Sequence, residues 1–467
     1  MVRDRDHRRR RRHRGEGAAP GVHPREEARH RRPPLTRHRP FTGTWDDGRV
    51  PLARRLTLAD AVAIGLGSMI GAGVFAVWAP AIGVAGSGIL IALAIAAVVA
   101  YCNATASAQL AAVHPVAGGT YAYARAEIGP WWGFVAGWSF VIGKIASCAA
   151  MAMTFAAYAV PPAWQTPVAV LAVAALAVVN CFGVTRTALL TRILVACSLL
   201  GLAVVVILGL GAAPTSTPAP LPDATAYGVL QGAGLLFFAF AGYARIATMG
   251  EEVTDPARTI PRAIALALGG AVVVYALVGL TVVLVLGAEV QGATAPLADV
   301  LVAAGWSWAT PLVRIAAAAA SLGALLALLT GIGRTVLAMA REGDLPRFLS
   351  RIDARHQVPQ RAELVLAALV IALVLTADLR TAIGFSSFGV LLYYLIANAA
   401  AFRQRGAARR SPRALQVVGA LGCLVLVNTL PVAASLIGTA VVVAGVAYRL
   451  VRLRLERRAD HSRSAER

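Results

Sequence analysis

After Pro51 the chain passes through one apolar stretch of about twenty residues after another, and stretches of that length have few possible fates. A bilayer core about 30 Å thick is crossed by roughly 20 helical residues. In hydrocarbon only helices and closed barrels satisfy every backbone N–H and C=O internally. About twelve such stretches can be marked, at residues 58–80, 86–112, 131–160, 165–183, 189–212, 227–249, 263–288, 309–339, 362–378, 382–403, 414–430 and 432–451. Hydrophobic residues make up 58% of the 467-residue chain and charged residues only 14%. That balance excludes an ordinary soluble domain and predicts an all-α, multi-pass membrane protein.

The net charge of +21 is concentrated in an Arg-rich head, RRRRRHR at Arg8 to Arg14, and recurs in the tail after Tyr448. On a membrane protein this marks the cytoplasmic side and contact with anionic lipid, so no nucleic-acid partner is expected. Loops joining an even span to the next odd one carry Arg125, Arg186, Arg258, Arg262, the group from Arg341 to Arg361, and Arg403 to Arg413. The opposite loops hold Arg380 together with Asp223, Glu289, Asp299 and Asp378. Both termini are therefore expected in the cytoplasm of a plasma-membrane protein. Residues 1–52 are expected to be a disordered head without the apolar core of a signal peptide, 53–451 the membrane domain, and 452–467 a basic tail. Five cysteines stand singly inside spans, without metal-ligand or disulfide spacing, and read as small buried hydrophobes. No metal and no cofactor is expected. His114 and His356 fall in cytoplasmic loops and read as surface residues.

Two spans contain residues that a plain helix would avoid. GLGSMIGAGVF puts Gly65, Gly67, Gly71 and Gly73 into nine positions, each costing about 1 kcal/mol relative to alanine in a helix. Unwinding and close small-residue packing of Gly67 with Gly71 explain this equally well. The sixth span, FFAFAGYAR, sets a glycine among aromatics and ends in a charge. Interrupted helices at matching positions of two halves are how transporters expose backbone groups to a ligand at mid-membrane. Two nucleotide-binding echoes fail. GLGSMIG has the wrong glycine spacing and no strand before it, and Gly143-Lys144 lacks the following Ser/Thr of a phosphate loop.

Taken together, GLGSMIGAGVF, HPVAGGTYAYARAEIGPWWGF, FFAFAGYARIATMGEEVTDPARTIPRAI and AREGDLPRFLSRI resemble the amino acid permeases of the amino acid–polyamine–organocation family, in order and spacing over residues 55 to 450. The resemblance implies a leucine-transporter-like fold, two inverted five-helix units plus two C-terminal helices, moving an amino acid or related amine by alternating access. It further implies that the amides near Gly71, Ala72 and Gly73, at the turn led by Ile70, receive a substrate carboxylate. The carbonyls of Met69, Phe238 and Ala241 would meet its ammonium, with Phe238 as an aromatic gate and Gly242 at the second break. Many relatives carry an acid after the glycine–aromatic pair, where this chain has Ala244 and Arg245. Where some proton-driven relatives place a lysine in the fifth span, this chain has Ser198. A transporter-fold sensor, an exchanger and a polyamine carrier remain alternatives to a secondary amino acid transporter.

The loop motifs read as structure: Thr259 followed by Pro261 suits a helix start, and Glu251, Glu252 and Arg258 are within reach of one another. The third span holds Lys144, the chain's only lysine. Burying its charge costs about 2.5–3.5 kcal/mol even on a lenient scale, so it must face the protein interior. Phe140, Lys144, Ser147 and Cys148 share a helix face, and the family alignment sets Lys144 beside the substrate. Three roles stay open: a structural charge bound to loose carbonyls, a carrier of the coupling proton, or a permanent cation holding an acidic or polar side chain.

Overall fold

Thr57 and Asp60 open the membrane domain with a reciprocal cap: the Thr57 hydroxyl accepts from the Asp60 amide and the Asp60 carboxylate from the Thr57 amide. The computed structural model describes residues 56–114, 118–183, 188–211, 218–247, 249, 253–353 and 355–465. The Arg-rich head, with Glu251 and Glu252, lies outside the described residues. The first span is three helices, α1 (Leu58–Met69), α2 (Ala72–Ala76) and α3 (Trp78–Ala85). There follow α4 (Ile89–Val113), α5 (Thr120–Glu127), α6 (Pro130–Ala159), α7 (Pro162–Cys181) and α8 (Ala188–Gly211). The sixth span is α9 (Ala226–Phe240), a tight turn over Ala241–Tyr243, and α10 (Ala244–Ala247). After it come α11 (Pro256–Leu286), α12 (Pro296–Ala303), α13 (Thr310–Arg341), α14 (Gln360–Thr376) and α15 (Leu379–Arg403), then the closing α16 (Arg413–Thr429) and α17 (Val432–Ala465).

Among the described residues ten helices are long and apolar enough to cross a membrane. Two more of the expected spans fall on α14 and α16, 17 residues each, about 26 Å of helix. The chain is thus an all-α, multi-pass membrane protein. α11 begins at Pro256, not near Thr259, because Pro256 already fits a first helical position where no N–H is needed; Pro261 is carried inside the helix. Arg258 pairs, at 3.8 Å, with Asp255.

The two halves match element by element. Each has an interrupted span, a long helix, an eight-residue helix (α5 and α12), a helix of 30 or 32 residues, a shorter one, and a helix of 24 or 25. Packing repeats as well: α1 lies on α11 as α9 lies on α4, and α13 lies on α8 as α6 lies on α15. A unit with an odd number of spans returns the chain on the opposite side, so its repeat is necessarily inverted.

Loops gather at two ends. At one, Thr254 bonds Leu56, and Arg125, Asp344 and Arg449 meet. At the other, Ser87 bonds Pro222 and Ala288 bonds Ala219. Helices α5 and α12 are each tethered by a tyrosine hydroxyl: the Thr120 amide donates to Tyr393 at 2.9 Å and the Leu297 amide to Tyr158 at 3.2 Å. His114 and His356 are partly buried and bonded, to Glu127 at 2.7 Å and Asp353 at 3.0 Å. Cys197 faces outward from α8, where lipid suits a thiol as well as a core does.

At the Arg-rich end the buried Asp344 accepts from the Tyr121 hydroxyl at 2.9 Å, from Arg125 at 2.8 Å and from Arg449. The Arg449 guanidinium also lies over Trp131 and Phe134, at 5.1 and 4.7 Å. Removing one partner of a buried pair leaves the other uncompensated, at about 3–5 kcal/mol. Asp344→Ala should therefore lower the melting temperature strongly in detergent, and Arg449→Met on top of it should recover part of the loss. A milder pH effect is expected nearby. Burial would raise the Glu127 carboxyl, but hydrogen bonds from His114 and Gln404 outweigh it and hold it below the usual carboxylate range. That stabilisation is complete above the unfolded value of about 4.3 and disappears as pH falls through the lower folded value. Acid melting curves should show it in the parent and not in Glu127→Gln.

Candidate functional site at two helix breaks

The glycines of the first span serve different neighbours. A Cβ on Gly67 would strike Val195 of α8 at 2.3 Å, whereas one on Gly71 would meet Ala324 of α13 at 3.0 Å. They do not form one small-residue seam, and the helix stops between them. Met69 ends α1, Ile70 leaves the helical region at ψ 48°, and Gly71, at ψ −146°, leads into Ala72 and Gly73 of α2.

Both breaks touch through backbone. A Cβ on Gly242 would lie 2.1 Å from the Ser68 carbonyl oxygen, and one on Gly73 would lie 2.8 Å from the Ala239 Cα. Only glycine permits either approach. The carbonyls freed here are claimed by the protein. Tyr275 of α11 donates its hydroxyl to Met69 at 2.7 Å and to Ala239 at 3.0 Å, bridging the breaks. The Ala241 amide returns to Phe238 O. Lys144, 7% exposed, reaches Ala241 O at 3.5 Å and lies over the Phe140 ring at 5.9 Å.

All nine residues singled out from sequence therefore lie on the pieces flanking the breaks or, for Lys144, against them. Met69, Ile70, Gly71, Ala72, Gly73, Phe238 and Ala241 are buried, and Gly242 is half-buried. The vectors from Gly71 and Gly73 point into packed neighbours, so a leucine there would wedge α13 or α9 away before filling any open site. Ser147 turns aside to Ser386 of α15, at 2.6 Å, while Cys148 stays buried one turn beyond Lys144. Ser198 bonds its own helix at Leu194.

Sequence reasoning missed Tyr275, whose only signal was a lone tyrosine in the apolar run VVVYALV. It also gave no role to Glu363, buried in the first turn of α14 and held by Asn180 at 3.4 Å, which in turn accepts from Thr330 at 3.1 Å. Gly333 leaves room for that carboxylate, since a Cβ there would lie 2.4 Å from it.

The amino acid permease family model matches residues 60–454. The chain belongs to the amino acid permease family. An uncharacterized transporter of Mycobacterium tuberculosis is 55% identical to the permease over 419 residues, 89% of this chain and 95% of its own. Cationic amino acid transporter 7 of Arabidopsis thaliana, a chloroplastic protein, is 27% identical over 76% of this chain and 66% of its own. Human cationic amino acid transporter 4 is 30% identical over 73% of this chain and 58% of its own. The permease is a membrane transporter for amino acids and not an enzyme.

Contact at the breaks sets a measurable expectation. Gly242→Ala and Gly73→Ala force backbone apart and should each cost about 1–3 kcal/mol, together with most substrate uptake. Gly269→Ala, on α11 with nothing within 4 Å of the added carbon, should leave melting temperature and uptake unchanged.

Proposed function

We propose that the permease is a secondary active transporter that carries an amino acid across the plasma membrane by alternating access, with both termini cytoplasmic and Lys144 exchanging the coupling proton. The observation that carries the reading is the Lys144 ammonium at the Ala241 carbonyl, inside the second break. The breaks supply what a zwitterion needs: amides of Gly71 to Gly73 for its carboxylate, and the carbonyls of Met69, Phe238 and Ala241, each with a second lone pair, for its ammonium. Lysine can release a proton where arginine cannot. Uptake by reconstituted protein should therefore fall as external pH rises, and both Lys144→Arg and Lys144→Met should flatten that profile. If both keep the parent profile and substrate range, Lys144 is a structural charge and the coupling role is wrong.

A second reading is favoured by the relatives named cationic amino acid transporters. A cationic side chain 4 Å from a charged Lys144 costs about 4 kcal/mol at an effective dielectric of 20. Such a substrate is compatible with the site only after Lys144 loses its proton. The two readings then differ in sign: arginine uptake would rise with pH, while uptake of a neutral amino acid would fall.

A further inference from the structure

A second built feature stands at the Arg-rich end, away from the breaks. Between the last turns of α4 and the first turns of α11 lies a cavity of about 360 Å³. Three arginines line it, Arg258 and Arg262 from α11 and Arg410 from the segment joining α15 to α16, with Tyr101, Thr105 and Gln109 from α4. Among the described residues, none of those lining it is acidic. The contact of Arg258 with Asp255 is 3.8 Å long and joins two exposed side chains, a pairing that neutralises little. Arg258 and Arg262 also occupy the first two turns of a 31-residue helix, the end where the helix dipole disfavours cations and favours an anion.

The position of Arg410 is fixed by a buried side chain. Gln109, 1% exposed, accepts from the backbone N–H groups of Arg410 and Ser411, both at 3.0 Å. Its amide donates to Ala401 O and Gln404 Oε1, each at 3.0 Å. The segment is thus held against the cavity wall. The cavity also adjoins the outer flank of the bundle: Tyr101 is 48% exposed, and Val98, Leu266 and Val273 continue the exposed apolar surface at 55%, 56% and 59%. In a bilayer, acyl chains cover such a surface.

We propose that this cavity binds the phosphate headgroup of an anionic phospholipid, with the guanidinium groups on the phosphate oxygens and the chains along the α4–α11 flank. Guanidinium is the side chain suited to bidentate phosphate contacts, basic pockets between spanning helices are where anionic headgroups dock, and tyrosine suits the interface level. The apolar flank is what selects a lipid over a free phosphate ion.

The test uses delipidated full-length protein offered phosphatidylglycerol, phosphatidylcholine or inorganic phosphate, read by native mass spectrometry and by melting temperature. Parent protein should retain phosphatidylglycerol over phosphatidylcholine by roughly tenfold or more, with a matching rise in melting temperature. Arg258→Gln/Arg262→Gln/Arg410→Gln should lose the preference while melting normally in phosphatidylcholine. Should that triple variant fold poorly, the single reversal Arg262→Glu serves, with the same loss expected. Equal retention of both lipids by the parent, an unchanged preference in the folded variants, or stabilisation by inorganic phosphate equal to that by phosphatidylglycerol would each overturn the proposal.

Discussion

Backbone groups released inside a membrane must find partners within the protein, and the architecture around the breaks follows from that requirement. One phenol meets much of it. The Tyr275 hydroxyl has a single proton shared between the Met69 and Ala239 carbonyls, so the end of α1 and the end of α9 are held at a common point on α11. Gly242 and Gly73 are what let the two segments come close enough to share it. Larger residues at either glycine would separate the carbonyls and leave one unpaired, which costs more than the lost contact area.

Around this centre the repeat places a matching device at each end of the bundle. At the Arg-rich end α5 is tied by Tyr393 and, through Arg125 and Tyr121, to Asp344, which also holds the middle of α17 through Arg449. At the opposite end Tyr158 accepts from Leu297 of α12 and donates its own proton to Phe75 O in α2, at 3.0 Å. The second tether therefore reaches directly into the broken first span, whereas the first binds scaffold helices to one another. Rearrangement of α2 has to disturb the Tyr158 bond, and the Asp344 cluster is not required to change with it.

Much of the fold was legible because the bilayer reduces the problem to length and polarity. Span limits fell within a few residues for α6, α8, α13 and α15, and the glycine run of the first span, read together with the glycine among aromatics and the charge in the sixth, pointed to both breaks. Where the sequence misled, the deciding term was tertiary. Pro261 reads as a helix start, yet Pro256 fills that place and the later proline is tolerated inside α11. The short helices α5 and α12 are too brief to give a spanning-length signal, and each is fixed by a tyrosine hydroxyl from a distant helix. Gly71 reads as an opening for a ligand, but the direction of its missing side chain, toward Ala324, depends on where α13 packs. Tyr275 and Glu363 gave no pattern at all: a lone tyrosine, and a carboxyl at a helix start, acquire meaning only from the residues that meet them.

The contrast between Arg449 and Lys144 bears on why one lysine persists in an arginine-rich chain. Arg449 is richly partnered: Asp344, the Pro130 carbonyl and two aromatic faces surround its planar group, although its Nε–H is left without a hydrogen bond, a setting that rewards a rigid fork of donors. Among the described residues Lys144 has one acceptor, Ala241 O, at the long end of hydrogen-bond range, and one ring face. A guanidinium placed there would bring five donors to a site that satisfies one, whereas an ammonium leaves two protons unclaimed. Those protons stand next to the Ala241 carbonyl at the second break, the place to which the proposed function brings the incoming amino acid.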